Sequence, residues 1–266
     1  MTLQTSILTS QALRSAGLRE TGRSLDIRQG TYRVRIASSE ADHMAAFRLR
    51  FLVFNLELNE GLETAYVTGH DTDEFDAFCD HLIVEDLRTE NVVGTYRLQS
   101  GAMATANAGF YSAKEFDFNP YRRLGDGVIE LGRACVHRDH RSTDVLYLLW
   151  RGIAQYAAYH GGRYLIGCSS LTSQDPAHGA AVYAALQEYL VEPQLRTIPH
   201  PDFVMPLVPP GEASGKVPRL LRTYLAVGAK ICGPPAIDRE FKTIDFLTMI
   251  DLKTLHPRVR ARFLKT

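Results

Sequence analysis

The sequence offers little for cross-linking or export. Four cysteines, Cys79, Cys135, Cys168 and Cys232, are scattered through 266 residues with no CxxC pair. Cys135 and Cys168 fall inside apolar, strand-like runs, so free thiols in a reducing cytoplasm fit better than a disulfide framework. No stretch approaches the roughly 20 consecutive apolar residues of a bilayer-spanning helix. The opening segment MTLQTSILTSQALRS lacks the charged start and long apolar core of a secretory signal. Formal net charge is zero, from 30 basic and 30 acidic side chains, which removes the electrostatic reason to expect a nucleic-acid partner. Internal repeats and low-complexity tracts are also missing. A cytoplasmic location is expected, with peripheral contact at the inner face of a membrane the only membrane association left open.

What is present suffices for a core, since 45% of the residues are hydrophobic. Residues 1–30 are polar and weakly patterned and read as a mobile arm, and residues 31–266 as one domain. Tyr32–Ile36 alternates as a strand. Ser39 with Asp42 three residues on resembles a capping box, opening a helix through Met44, Phe47, Phe51 and Phe54 that Arg48 and Arg50 interrupt. An acidic loop, GHDTDEFDAFCD (69–80), precedes a hairpin of HLIVEDL (81–87) and VVGTYRLQS (92–100). Residues 101–127 are irregular but aromatic, and should pack down as core or as the wall of an acyl tunnel. A buried strand (163–171), a helix (176–189), a Pro-rich connection (198–218), a helix (219–229) and a closing strand (243–252) complete the chain. The fold class is α/β (α+β), a mixed central sheet flanked by helices.

The chain is organised around residues 128–160, VIELGRACVHRDHRSTDVLYLLWRGIAQYAAYH, which read as a strand, a basic turn and a long helix. Glu130 and Arg133 interrupt an otherwise apolar strand, and Gly132 between them is what a bulge or the close approach of a ligand requires. On a regular strand Glu130 and Arg133 would face opposite ways, so their cooperation depends on such a bulge. The following helix N-terminus offers free N–H groups to a phosphate or thioester oxygen. Arg133, His137, Arg138, His140, Arg141 and Arg151 crowd this turn, and Lys253, Arg258, Arg260, Arg262 and Lys265 crowd the C-terminus. Such patches suit an acidic protein, a phosphate or an anionic membrane, or form a solvated face.

Over residues 32–255 the chain resembles the GNAT acyltransferase superfamily, in a branch that uses acyl carrier protein rather than coenzyme A. Part of the pattern is similar to acyl-homoserine-lactone synthases: Arg50 followed by Phe54, Asp73-Glu-Phe-Asp76, Arg97, and Glu130 with Arg133. The stronger resemblance is to the ornithine–acyl-carrier-protein N-acyltransferases, the hemolysin-like enzymes that make lyso-ornithine lipid. It is carried by FDAFCDHLIVED (75–86), VGTYRL (93–98), GFYSAKEFD (109–117), ELGRACVHRDHR (130–141), IGCSS (166–170) and the tail block 218–246. The glycine-rich pyrophosphate loop of coenzyme-A-dependent relatives is replaced by Arg138-Asp-His-Arg-Ser-Thr143, which has no glycine. That substitution fits a phosphopantetheine with a single phosphate.

The resemblance implies an N-acyltransferase moving a (3-hydroxy)fatty acyl group from acyl carrier protein to the α-amine of ornithine, with no bound cofactor. It makes Glu130 the candidate base, acting directly or through water with Arg133 beside it; the alternative is an ion pair with Arg133 or Arg97 that only orders the sheet. Backbone N–H groups near Ala134 and Val136 would stabilise the oxyanion. Arg138 and Arg141, with Ser142 and Thr143 at the helix start, would hold the phosphopantetheine phosphate. Asp73 and Asp76 either recognise a cationic acceptor or anchor Arg50 and Arg97. A different acceptor (glycine, another amino acid or a homoserine-lactone-type signal) and a non-catalytic lipid or carrier-protein binding module are the competing functions. His137, Asp139 and His140 lack further ligands at metal-site spacing, so no metal is expected. Gly167-Cys-Ser169-Ser-Leu171 departs from GxSxG at its last position, and Cys168 reads as a small core hydrophobe.

Overall fold

The computed structural model describes residues 25–206, 208–209 and 213–263. The strands are β1 (Asp26–Gln29), β2 (Tyr32–Ile36), β3 (Asp80–Asp86), β4 (Asn91–Ser100), β5 (Val128–Val136), β6 (Tyr164–Leu171), β7 (Lys230–Ile231), β8 (Ala236–Asp238) and β9 (Thr243–Asp251). The helices are α1 (Glu40–Arg50), α2 (Ala65–Thr68), α3 (Gly101–Ala106), α4 (Thr143–Tyr159), α5 (Pro176–Ala185), α6 (Arg219–Val227) and α7 (Pro257–Phe263). All nine strands join one sheet in the order β1-β2-β3-β4-β5-β6-β9-β7, with β8 also paired to β9. The expected mixed α/β architecture is what forms.

Strand alternation assigns the two faces. Leu82 and Val84 of β3 point to α4, whose Leu148, Leu149 and Ile153 bury against them together with Ile129 and Leu165. Ile83, between them, packs on the opposite face against Ala46 of α1. The aromatic segment between α3 and β5 covers that second face farther along, where Phe116 and Tyr121 pack on Val128, Ile166 and Met249. The core reading of those two rings therefore holds.

Several boundaries differ from expectation. The arm expected over residues 1–30 lies outside the described residues as far as residue 24, but Asp26–Gln29 pairs with β2, so the sheet extends into that stretch. The first helix does not run evenly through Phe54: after Arg50 it widens into a π-helix over Phe51–Leu58, and Asn59 closes it in the left-handed conformation. Such widenings re-aim side chains and concentrate at functional sites. Helix α5 stops at Ala185 and a separate 3-10 turn follows at Gln187–Tyr189. Among the described residues, no helix is long and apolar enough to cross a membrane.

The sheet opens between two of its central strands. β5 and β6 are its parallel neighbours, yet they pair only from Val128–Tyr164 to Glu130–Ile166. Beyond that point β5 stays with β4 and β6 stays with β9, so the two strands part. Gly167 sits at the fork, and a Cβ there would lie 2.1 Å from the Leu131 carbonyl oxygen. Gly167→Ala must therefore push backbone against backbone. It is expected to lower stability by roughly 1–3 kcal/mol, the range for overpacking, as read by denaturant unfolding.

Candidate active site

Glu130 is the last β5 residue paired to β6, and it is buried. Both carboxylate oxygens accept backbone N–H groups: Tyr111 N donates at 2.7 Å and Ser112 N at 2.8 Å. These donors open a 3-10 turn, Tyr111–Lys114. Burial raises the proton affinity of Glu130; the Ser112 and Tyr111 amides and the Arg97 charge pull the other way, and the net shift is upward. Among the described residues no ion pair involves Glu130, so the sheet-ordering ion pair with Arg97 or Arg133 does not form.

The bulge required at Gly132 is present. The β4–β5 register slips between Thr95 and Arg97, and Arg133 takes the left-handed conformation, φ +49°. Two consecutive residues of a bulged strand then share a face. Arg133 thus reaches the Glu130 face, where its guanidinium lies 4.1 Å from the Phe241 ring centre and 5.8 Å from that of Phe54. His137 N donates to Val93 O at 2.8 Å, which sets the phase of the ladder. Alternation of hydrogen-bonded and free positions turns the Val136 N–H away from β4, toward the side that β6 has left, and Ala134 lies in the register slip just before it.

Three arginines and three aspartates lock this region. Arg50, fully buried, donates to Asp71 at 2.8 Å and grips both oxygens of Asp76 at 2.7 and 3.0 Å. Arg97 donates to Asp73 at 2.6 Å and to Asp76 at 3.2 Å. Arg133 lies 3.4 Å from Asp73 and 3.6 Å from Asp71. Asp73 and Asp76 also cap their own 3-10 turn, the Asp76 carboxylate accepting Asp73 N at 2.9 Å. Asp76 is thus an anchor for Arg50 and Arg97, whereas Asp73 holds Arg97 and Arg133 and also lines a cavity of about 490 Å³.

That cavity is acidic. Asp73, Glu74, Glu115, Asp202, Asp238 and Glu240 line it against Lys114 and Arg239, and Lys114 is already paired with Glu74. From the wall residue Glu115 the cluster continues inward to Cys168 and Asp245, and the three bring their ligand-type atoms within 4.8 Å of one another. Burial, then Asp238 nearby, pushes Asp245 up to about 6, and burial with the Asp245 and Asp238 charges raises Glu115 further. A carboxyl raised in the native state loses stability as pH climbs from its unfolded value to its folded one. Asp245→Asn is therefore expected to become more stable relative to the parent between about pH 4 and pH 6, in thermal melts at the two values. Cys168 is half-buried with its thiol 3.5 Å from the Ser112 hydroxyl, so it borders the site rather than only filling core.

On the donor side the expected residues diverge. Arg138 is exposed, its closest carboxylate Asp139 at 3.9 Å. Arg141 is instead engaged by Glu57 of the π-helix at 2.6 Å and donates to Val136 O at 3.2 Å. The Ser142 hydroxyl accepts Val145 N and caps α4, and exposed Thr143 is the first residue of that helix. His137 and His140 sit on the same turn with ring centres 5.7 Å apart, and His140 Nδ1 bonds the Tyr32 hydroxyl.

Residues 49–151 match the model of the acetyltransferase (GNAT) domain, a span containing α1's end, the bulged strand and half of α4. The L-ornithine N(alpha)-acyltransferase of Brucella abortus (strain 2308) is 34% identical over 247 residues, 87% of this chain and 88% of that one. The enzyme of the same name from Agrobacterium fabrum (strain C58) is also 34% identical, over 87% of this chain and 84% of its own. The chain belongs to the L-ornithine N(alpha)-acyltransferase family. Membership makes it a GNAT-fold acyltransferase. The AHL synthase LasI shares the fold at a TM-score of 0.52 and 12% identity, covering 88% of this chain and 95% of LasI. FeeM, an N-acyl amino acid synthase from uncultured soil microbes, does so at 0.51 and 11%, covering 88% and 94%.

Within this acyltransferase family framework, sequence reasoning missed Tyr111, Ser112, Asp71, Glu115, Asp245 and Phe241. Their signals were weak but present: carboxylates set inside aromatic or apolar runs, GFYSAKEFD and TIDFLTMID, where burial without a partner is unfavourable.

Proposed function

We propose that the chain moves a 3-hydroxy fatty acyl group from acyl carrier protein to the α-amine of ornithine. The observation that carries this reading is the acidic cavity beside the Glu130 turn, which suits an acceptor with a second ammonium group. The names of the curated relatives support the same acceptor. Glu130 takes the proton from the attacking amine, the Ala134 and Val136 N–H groups stabilise the oxyanion, and the pantetheine sulfur leaves and is protonated as the amide forms. The glycine-free turn 138–143 and the exposed Arg138 support a single-phosphate, carrier-bound donor. Arg141 would join Arg138 only by exchanging Glu57 for phosphate. Unpaired thiols at Cys79, Cys135, Cys168 and Cys232 favour a cytoplasmic setting.

The test offers purified protein 3-hydroxyacyl-carrier-protein with each amino acid in turn and detects amides by mass spectrometry. Acylated ornithine is expected. Preference for a neutral amino acid overturns the acceptor, and binding of the carrier without any turnover leaves a binding module. Arg138→Ala is expected to raise the donor KM several-fold at low salt and little at high salt, since a rim charge acts mainly on encounter.

A further inference from the structure

The cavity beside Glu130 ends on an unusual group. Glu115 is 1% exposed and Asp245 4%, and each keeps one carboxylate oxygen, Oε1 and Oδ1, with no hydrogen-bond partner. No ion pair reaches Glu115, Asp238 or Asp245 among the described residues. Asp238 spends its Oδ1 on the Glu240 and Phe241 amides at 2.8 and 2.9 Å. Of the other buried carboxylates, Asp71 and Asp76 are matched by Arg50 and Glu130 by two backbone amides. A buried carboxylate without a counter-charge is unfavourable unless it keeps a proton or receives a cation from outside.

Glu115 opens directly onto the cavity, together with Asp238 and Tyr111. The same 3-10 turn whose amides hold Glu130 leads straight into Glu115, which is its C-terminal cap. The base and this carboxylate pair, each with one free oxygen while Asp245 Oδ2 accepts the Thr243 hydroxyl at 3.2 Å, are therefore coupled through one short turn, and a molecule with two amines could engage both. We infer that Glu115 and Asp245, with Asp238 at the wall, form the subsite that binds the side-chain ammonium of the acceptor and so select a cationic amino acid. This rests on the proposed acyl transfer to an amine. The third member, Cys168, stays a neutral thiol because burial and the adjoining carboxylates both disfavour a thiolate. An ammonium can use the free carboxylate oxygens as acceptors without calling on the thiol.

The experiment compares L-ornithine with 2-aminopentanoate, the same chain without the terminal amine, in the parent, Glu115→Gln and Asp245→Asn. The expected result is an ornithine KM at least about tenfold higher in each variant, the scale of a lost charge-assisted hydrogen bond, with a much smaller loss on 2-aminopentanoate. Equal losses on both acceptors would show a merely structural pair and overturn the subsite, as would an unmoved ornithine KM. Calorimetry with zinc(II) alone adds the remaining arm: tight binding abolished by Asp245→Asn would assign the cluster to a metal and overturn it too. If the parent neither binds nor acylates ornithine but uses a neutral amino acid, the acceptor reading falls with the subsite. If ornithine is acylated and the variants keep its KM, only the subsite falls.

Discussion

Glu130→Gln is expected to lower kcat by roughly a hundredfold, the low end of what a lost general base removes. The substitution keeps the side-chain shape but cannot take a proton at neutral pH. In the parent, the raised proton affinity of the buried carboxyl should give a rate that falls as pH drops through its native value, because only the ionised form accepts the amine's proton. That acidic limb should vanish in the variant. A glutamine oxygen can still accept one of the Tyr111 and Ser112 amides, while its NH2 group faces the other. A stability loss of about 1–3 kcal/mol should therefore accompany the rate loss, as for an unsatisfied buried donor. Rates measured where the variant is fully folded by circular dichroism separate the two. Near-parental turnover there would remove Glu130 from the chemistry.

The second large effect belongs to the opposite kind of residue. Arg50→Met should destabilise the fold by roughly 3–5 kcal/mol, because it removes the nearest cation from buried Asp71 and Asp76 and leaves them only Arg133 at 3.6 Å and Arg97 at 3.2 Å. Arg50 is fully buried and touches both carboxylates. Arg33→Ala makes the control: its ion pair with Asp26 is about one-third exposed and should contribute under about 1 kcal/mol. The pH dependence follows from Asp76. Burial alone would raise its pKa, but the Arg50 and Arg97 charges hold it far below the usual carboxylate range. Stability from a depressed carboxylate is present above the unfolded value of about 3.9 and is lost as pH falls toward the native one. Urea titrations at pH 7 and pH 3 should show that acid loss in the parent and a smaller one in Arg50→Met. A loss below 1 kcal/mol at pH 7 would mean the network is dispensable.

Much of this was legible in the residues, and the reasons differ. β5 could be read to its ends because apolar runs broken by Glu130, Gly132 and Arg133 carry both the strand period and its defect. The bulge was expected because glycine marks it, yet the residue taking the left-handed conformation is the neighbouring Arg133. The Asp73/Asp76 ambiguity could not be resolved from spacing: both sit on one turn, and only tertiary contacts make Asp76 an anchor and put Asp73 on the cavity wall. Arg50 looked like a break in a helix face, but it is the most enclosed cation in the site. Short strands such as β7 and β8 have too few residues for any period, and β1 is held by its register with β2 rather than by pattern. Glu115 and Asp245 meet only because the aromatic segment packs over the sheet face that includes β9, a long-range closure that local composition does not encode.

The fork between β5 and β6 can be examined directly by solving the complex with carrier protein bearing a non-hydrolysable acyl-pantetheine amide. The acyl carbonyl oxygen should lie in the gap beyond Glu130, within hydrogen-bond reach of the Ala134 and Val136 N–H groups, with the phosphate near Arg138. An acyl chain bound elsewhere, with the parted strands closed or filled by side chains, would contradict the assignment of this fork as the place where the acyl group is transferred.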